Sequence, residues 1–593
     1  MSDAEDDLPR DGHRFDAQLS RRFWRYVRPY RRPLLLSLFL LFAAGALELV
    51  SPYITKIAID RAIPERDADL LLQLVLAFLG VLILGFVTNY FQHIVTTKAA
   101  QTIMRDLRRE LFAHLQKMNL AYFDRTPVGR TVTRLTSDVE TLNDLLTAGL
   151  LSIVADIVTM VGITVVLFWM DWKLSLLAYA VLPFVILASV AFRRKARRGF
   201  RATRERVARL TGIMQETFSG VEVVKLFGRE AENDRVFETQ NAACRDAWLE
   251  TNDAFALFFP LVQLLLAISV AAVLWGGGIA ILQNALTFGE LVAFLMYVQR
   301  FYAPLRDLSE KYNVLQSALA SAERIFGILD TPAAEDFANR PALPELRGEI
   351  EFENVTFEYR TGEPVLRDVS FHVAPGERVA LVGATGAGKT TVLSLLLGLY
   401  RPTSGRILVD GYDLAQFDPR SLRRQVGTVL QEVFLFSADV DWNVRLGDPN
   451  VDPERVRRAL EAARTLPFVE KLPRGMSEPL GERGRSLSVG ERQLLSFARA
   501  LVQEPQILLL DEATSSVDSE TEGLVQEALP ALLSGRTCLV VAHRLSTVRD
   551  ANRILVFHQG RIEEEGTHSE LLRAGGIYAR LVELQFGSAE AAA

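Results

Sequence analysis

The sequence predicts a multidomain membrane protein, with a six-helix transmembrane domain carrying long cytoplasmic helical extensions, followed by an α/β P-loop domain. Three observations predict it. At 593 residues the chain exceeds the roughly 250 to 300 residues at which a single hydrophobic core stops growing. Long uncharged runs recur between about Leu34 and Tyr302, whereas beyond about Thr331 charged and apolar residues mix as in a soluble α/β protein. Finally, the stretch from Gly383 to Thr390 has the glycine spacing that closes a backbone around phosphate. The expected organisation is a disordered cytoplasmic lead-in over 1–19, a transmembrane domain over 20–330, a linker over 331–347, the α/β domain over 348–586 and a tail over 587–593.

Bulk composition averages over these unlike halves. A net charge of -6 and 49% hydrophobic residues single out no partner, and nothing favours nucleic acid. The two cysteines, Cys244 and Cys538, fall on the same reducing side of the membrane in the topology below, so no disulfide is expected. The first residues, MSDAEDDLPRDGHRFD, lack the basic, apolar and small-residue succession of a cleavable signal peptide.

A helix needs about 20 mostly apolar residues to span a hydrocarbon core, because every backbone polar group must be bonded inside its own segment. Leu34 to Ile54 carries one charge, Glu48; Leu70 to Phe91 carries none; Leu145 to Met170 carries only Asp156; Leu174 to Phe192 carries none. Ala254 to Gly289 is uncharged but too long for one span. The run Gly276-Gly277-Gly278, followed by Gln283-Asn284, suggests one helix ending there and a sixth beginning near Phe288.

Orientation follows from Lys and Arg near the helix ends. Arg21, Arg22, Arg25, Arg28, Arg31 and Arg32 precede span one, and Lys98 to Arg134 and Arg193 to Arg201 supply basic residues after spans two and four. These segments are cytoplasmic by that rule. The two basic connections keep helical periodicity over more than fifty residues, with Gly and Pro breaks in Asn119 to Arg130 and Glu216 to Glu230, so each reads as a helical hairpin whose tip docks on the α/β domain. An ionisable group within a membrane faces a cavity or a partner. Glu48, Asp156, Glu290 and Arg300 are therefore candidate pathway residues, with pairing between helices, snorkelling and, for Glu290, a helix-end position as equally open readings.

In the second half, Gly383-Ala-Thr-Gly-Ala-Gly-Lys389-Thr390 fits G-x4-G-K-[ST] between an apolar strand (Arg378 to Val382) and a helix (Thr391 to Leu399). Glycines let backbone N–H groups surround phosphate oxygens at a helix N-terminus, the lysine reaches the β and γ phosphates, and the hydroxyl ligates Mg²⁺. Gly383, Thr385, Gly386, Ala387, Gly388, Lys389, Thr390 and Thr391 are thus candidate nucleotide-binding residues. A second apolar strand, Ile507 to Leu510, delivers Asp511 and Glu512 to the C-terminal edge of a parallel sheet, where nucleotides bind. Asp511 is placed to hold Mg²⁺ and Glu512 to polarise the attacking water, since phosphoryl transfer relies on positioning and charge neutralisation.

Leu487-Ser-Val-Gly-Glu-Arg-Gln493, shortly before Asp511, resembles the ABC signature sequence, usually LSGGQ. The chain from about residue 20 to 585 resembles exporter-type half-transporters of the ABC transporter superfamily, in the multidrug and lipid branch, and is similar to the catalytic subunit of bacterial heterodimeric multidrug exporters. The resemblance implies an α/β P-loop ABC ATPase domain and assigns roles residue by residue. Tyr359 matches the aromatic that stacks on adenine, Gln431 the glutamine that senses the γ-phosphate and Mg²⁺, and His543 the switch histidine. Ser488 and Gly490 match signature positions that close over the opposite subunit's ATP, Asp518 the aspartate coupling the two sites, and Gly481 to Gly484 the element placed against intracellular loops. Catalysis falls to Glu512, His543 and Gln431, and the metal to Thr390, Gln431 and Asp511. Val489 and Glu491 depart from the pattern, where glycine and glutamine are usual, which puts the second ATP site in doubt.

The resemblance further implies ATP and Mg²⁺ as cofactors and a second ABC half-transporter as partner, a heterodimer being favoured over a homodimer. It implies an ATP hydrolase coupled to export of amphipathic drugs, lipids or peptides by alternating access. The expected place is the bacterial cytoplasmic membrane, multi-pass and among its lipids, with both termini and the ATPase domain cytoplasmic. The alternative is a non-transporting ABC regulator or receptor that uses ATP-driven dimer closure as a signal.

Overall fold

The computed structural model describes residues 17–332, 340–511, 519–542 and 545–586. The chain divides into two compact units, Met1–Gln116 with Val128–Thr331, and Lys117–Pro127 with Pro332–Ala593.

The first unit is helical. A basic amphipathic helix, Ala17–Val27, precedes Arg31–Ile57, Ala68–Leu115, Leu151–Met170, Trp172–Tyr179, Leu182–Ser219, Glu230–Leu282 and Phe288–Asp330. Ala68–Leu115 and Glu230–Leu282 have 48 and 53 residues, about 70 and 80 Å at the α-helical rise, more than twice the thickness of a hydrocarbon core. Membrane helices that run on well beyond the bilayer are what the periodicity of the basic connections predicts. Large apolar side chains stand outside the unit, among them Phe39, Phe86, Trp169 and Leu282, as lipid-facing surface requires.

Five stretches, 21–62, 68–115, 128–170, 172–219 and 230–282, are long and apolar enough to cross a membrane among the described residues. Phe288–Asp330, the expected place of a sixth span, is a 43-residue helix that is not among them, its apolar run being interrupted by Glu290, Gln299 and Arg300. The helix Glu230–Leu282 stops where the sequence expects, with Gln283 as cap and the next helix beginning at Phe288, and it runs through Gly276, Gly277 and Gly278 on the way. A Cβ on Gly276 would lie 2.8 Å from Leu177 Cδ2, and one on Gly277 2.5 Å from Leu291 Cδ1, so two of these glycines permit close helix packing. Span four is broken between Tyr179 and Leu182, where Pro183 enters the first turn of the next helix. At the break the carbonyl of Ala178 accepts hydrogen bonds from Ser269 Oγ and Tyr302 Oη, each 3.0 Å. Neighbouring helices thereby satisfy a backbone group that water cannot reach.

The second unit holds two sheets. The antiparallel one runs in the order β2-β1-β4-β5, from β1 (Ile350–Glu358), β2 (Pro364–Val373), β4 (Ser404–Val409) and β5 (Tyr412–Asp413). The other has the order β10-β9-β3-β8-β7-β6, from β3 (Arg378–Gly383), β6 (Val426–Val429), β7 (Ile507–Asp511), β8 (Thr537–Val541), β9 (Arg553–His558) and β10 (Arg561–Gly566). Strands β9, β3, β8, β7 and β6 pair in parallel, and β10 closes one edge antiparallel. Every residue of β7 and β8 is buried, the continuous apolar pattern of a sheet covered on both faces. Alternate residues feed separate cores: Ala380, Leu508 and Val540 enter one, Leu381, Leu509 and Val541 the other.

Candidate nucleotide-binding site

Register brings the motif residues to one edge of the parallel sheet. Leu381 of β3 pairs with Val541 of β8, and Val541 with Asp511 of β7; Leu510 pairs with Val429 of β6, two residues before Gln431. The phosphate loop leaves β3 at this edge and turns into the helix Lys389–Leu396. Its backbone needs glycine at two points. Gly388 caps the helix at φ +100, and a Cβ on Gly383, at φ +153, would meet the Phe557 carbonyl oxygen at 2.2 Å. Those are positions no L side chain fills without strain.

Lys389 is buried, and its Nζ donates to the carbonyls of Gly383 (2.8 Å) and Ala384 (2.9 Å). Burial holds its ammonium below the usual lysine range, and the nearby charge of Asp511 opposes that shift. Asp511, at the end of β7, is buried too. Thr385, Gly386 and Thr390 are exposed, while Ala387, Gly388 and Thr391 are buried. Tyr359 is 40% exposed, its hydroxyl 3.2 Å from Thr391 Oγ1. Its ring is braced edge-to-face by Phe357 (4.8 Å) and Tyr400 (5.2 Å). Gln431 is exposed just past β6. Glu512, Asp518 and His543 lie outside the described residues.

Ser488 and Gly490 stand elsewhere, at the start of the helix Val489–Leu501. Ser488 is its N-cap in a capping box: Ser488 Oγ accepts from the Glu491 backbone N–H (3.2 Å), and the Ser488 backbone N–H donates to Glu491 Oε2 (2.8 Å). Sequence reasoning singled out Glu491 only as a departure and missed this bond. It also missed Arg499 on the same helix, whose guanidinium donates to the carbonyls of Asn443 and Phe434, each at 2.9 Å. This ties the signature helix to the segment after Gln431.

The tip of the first basic connection behaves as expected. Asn119 caps the helix Leu120–Arg125, accepting from the Tyr122 N–H. Tyr400 Oη donates to Asp124 Oδ2, and Arg125 Nη2 lies 3.5 Å from the Tyr359 carbonyl. In the first unit, the candidate pathway charges are paired. Arg300 donates to the Glu48 carbonyl and lies 4.0 Å from its carboxylate. Asp156 accepts from Lys311. Glu290 closes a capping box with Thr287 and pairs with Lys56 at 2.9 Å, and Asp60 accepts from the Gly289 N–H at 2.7 Å. Lys311, Lys56 and Asp60 escaped sequence reasoning because their partners lie far along the chain.

Residues 34–305 match the family described as ABC transporter transmembrane region, and residues 366–515 the family described as ABC transporter. Over 96% of its length the chain is 38% identical to the ABC transporter ATP-binding protein YknV of Bacillus subtilis, covering 95% of that protein. The chain belongs to the ABC transporters. It is also 36% identical to the ATP-dependent lipid A-core flippase of Syntrophus aciditrophicus, over 95% of this chain and 94% of that one. Among solved structures, an ATP-bound bacterial Atm1-family ABC exporter superposes with a TM-score of 0.75 at 31% identity, covering 94% of this chain and 98% of that one. This ABC exporter is therefore a multi-pass membrane protein that binds ATP and couples its hydrolysis to export, as the sequence motifs imply.

Proposed function

We propose that this ABC exporter is one half of a dimer, with each ATP lying between one chain's phosphate loop and the other chain's Ser488 and Gly490. The observation that carries the reading is the exposed start of the signature helix, with Val489 45% exposed and Ser488 on the surface, a face open to a second polypeptide. In the site, Tyr359 stacks on adenine and Lys389 meets the β and γ phosphates. Glu512 polarises the attacking water, His543 and Gln431 sense the γ-phosphate, and Asp518 couples the two sites. Thr390, Gln431 and Asp511 offer hydroxyl, amide and carboxylate oxygens, the donor set that suits Mg²⁺; when bound, that ion neutralises phosphate charge.

A heterodimer is favoured, because Val489 and Glu491 alter the signature while Glu512 and His543 are retained. Ser488 and Gly490 still allow a homodimer. The substrate is an amphipath, a drug, lipid or peptide, and the likeness to a lipid A-core flippase supports a lipid-like one. Glu48, Asp156 and Arg300 are the candidate path residues, each engaged by a neighbouring helix, whereas Glu290, in the capping box at a helix start, fits the helix-end reading. The assembly sits in a bacterial cytoplasmic membrane with its ATPase domains and both termini cytoplasmic.

The test is Glu512→Gln in the purified, reconstituted protein. Removing a general base costs about 10²- to 10⁴-fold in rate, so turnover should collapse by that order while ATP remains bound. Hydrolysis at the wild-type rate would take Glu512 out of the reaction.

A further inference from the structure

Beyond the apolar stretch Leu174 to Phe192, the helix Leu182–Ser219 continues into basic sequence. Arg193, Arg194, Lys195, Arg197 and Arg198 follow at once, all exposed, and the single non-basic residue among them, Ala196, is buried. Packing on Glu230–Leu282 fixes which way they face. Phe192 stacks on Phe258 at 4.2 Å, a Cβ on Gly199 would lie 2.7 Å from Thr251 Oγ1, and Thr203 Oγ1 lies 3.0 Å from Thr251 Oγ1. Residues 192, 196, 199 and 203 form one stripe of the helix, so the intervening bases turn away from the packed neighbour. Among the described residues no acid pairs with Arg194, Lys195, Arg197 or Arg198, and Glu205, the next acid along the helix, pairs with Arg209 instead.

We propose that Arg194, Lys195, Arg197 and Arg198 form a binding surface for anionic phospholipids, whose phosphates they meet in the leaflet through which this helix leaves the membrane. At the α-helical rise all four lie within about 9 Å of Phe192 along the axis, close to the depth of one headgroup layer. Arg204 and Arg206 lie about 18 and 21 Å from Phe192 by the same rise, so they stand below the headgroups by more than a Debye length of about 8 Å. A guanidinium fork matches a phosphate bidentately and sheds its hydration more readily than an ammonium does, which suits a half-dehydrated headgroup layer. A zwitterionic headgroup brings a cation of its own, which this cluster repels. Each base beside an anionic surface is worth about fivefold in binding. Orientation in the membrane requires only that bases lie on this side of it; it does not require them to be unpaired, turned outward and gathered within one headgroup depth.

The experiment places the full chain in phosphatidylcholine vesicles with a trace of lipid carrying a photoactivatable headgroup, either phosphatidylglycerol or phosphatidylcholine, and reads labelling of residues 190–210 by peptide mass spectrometry. On the wild-type chain the phosphatidylglycerol probe should label this segment about fivefold more than the phosphatidylcholine probe, and added inorganic phosphate should leave that preference intact. Equal labelling by the two probes overturns the proposal, as does loss of the preference to free phosphate, and neither result depends on a variant folding. Combined Arg194→Gln, Lys195→Gln, Arg197→Gln and Arg198→Gln should abolish the preference. Arg194→Lys with Arg197→Lys and Arg198→Lys keeps the charges and should retain most of it, and Arg204→Gln with Arg206→Gln should leave it unchanged. An undiminished preference in the fourfold variant, or an equal loss in the Arg204 and Arg206 pair, overturns the proposal.

Discussion

Glu491 shows how one altered residue changes the chemistry of a site. Its carboxylate reaches back to the Ser488 backbone N–H at 2.8 Å, so the N-terminus of the signature helix, where backbone N–H groups and the helix dipole favour anions, already carries a negative group of its own. On the proposed reading of the signature, a γ-phosphate arriving there would meet like charge. Glu491→Gln preserves the reach and an amide oxygen to accept the same bond but removes the charge. The half-saturating ATP concentration for hydrolysis should fall by about twofold to fivefold, the equivalent of the 0.3–1 kcal/mol that one charge is worth at a helix end. Steady-state kinetics against ATP provides the measurement, and an unchanged or higher half-saturation would mean that the carboxylate is not felt by the nucleotide. The capping box was missed in the sequence, where Glu491 stood out only as a departure from the signature, although Ser and Glu three residues apart before an apolar run are its pattern. The phosphate loop was legible, because strand, glycines, lysine and hydroxyl lie within one short stretch. The pairs Lys311–Asp156 and Lys56–Glu290 were not, because each partner is 155 or more residues away and no local pattern announces a contact made by helix packing.

Among the elements, the end of the ATPase domain carries a pH-sensitive joint. The helix His568–Ala574 begins in a capping box, Thr567 with Glu570, and ends on Gly575 at φ +65. His568 Nδ1 lies 2.6 Å from the Tyr578 hydroxyl, on the following helix Ile577–Phe586. Burial, and then the charge of Arg549, hold the imidazole below its ordinary value of 6.5, and a neutral Nδ1 can accept from the tyrosine. The folded state therefore binds this proton less readily than the unfolded one, so stability is full above pH 6.5 and falls as pH drops from 6.5 toward the lower folded value. Thermal unfolding of the full chain between about pH 7.5 and 5.5 should show a loss of melting temperature on acidification that is smaller in His568→Gln. Equal pH dependence in both proteins would dismiss the joint. At this scale the sequence located helix ends unevenly. The stop expected at Gln283-Asn284 holds, since Gln283 caps Glu230–Leu282, whereas the service of Gly276 and Gly277 in close packing against Leu177 and Leu291 becomes visible only once the helices are packed. The break before Leu182 was missed, Leu174 to Phe192 reading as one span, although Pro183 in the first turn of the second helix marks it.

For the whole molecule, the decisive question is whether a second copy of this chain completes the nucleotide site. Lys389→Ala spoils a phosphate loop and leaves its signature intact, while Ser488→Arg spoils a signature and leaves its phosphate loop intact. Alone, each variant would form a homodimer in which both composite sites carry one damaged side. A mixed dimer places both lesions in one site and leaves the other whole, because a two-fold assembly exchanges the same surfaces in both directions. Co-expressed at equal levels with random pairing, half of the dimers are mixed and each has one sound site, so ATPase activity should return to about a quarter of the wild-type level. That recovery would establish a homodimer with a shared site. If the wild-type chain hydrolyses ATP at full rate on its own and mixing restores nothing, the shared site is wrong. If the wild-type chain is itself silent until another ABC half-transporter is supplied, the altered Val489 and Glu491 belong to a heterodimer, in which the partner's signature serves this chain's phosphate loop.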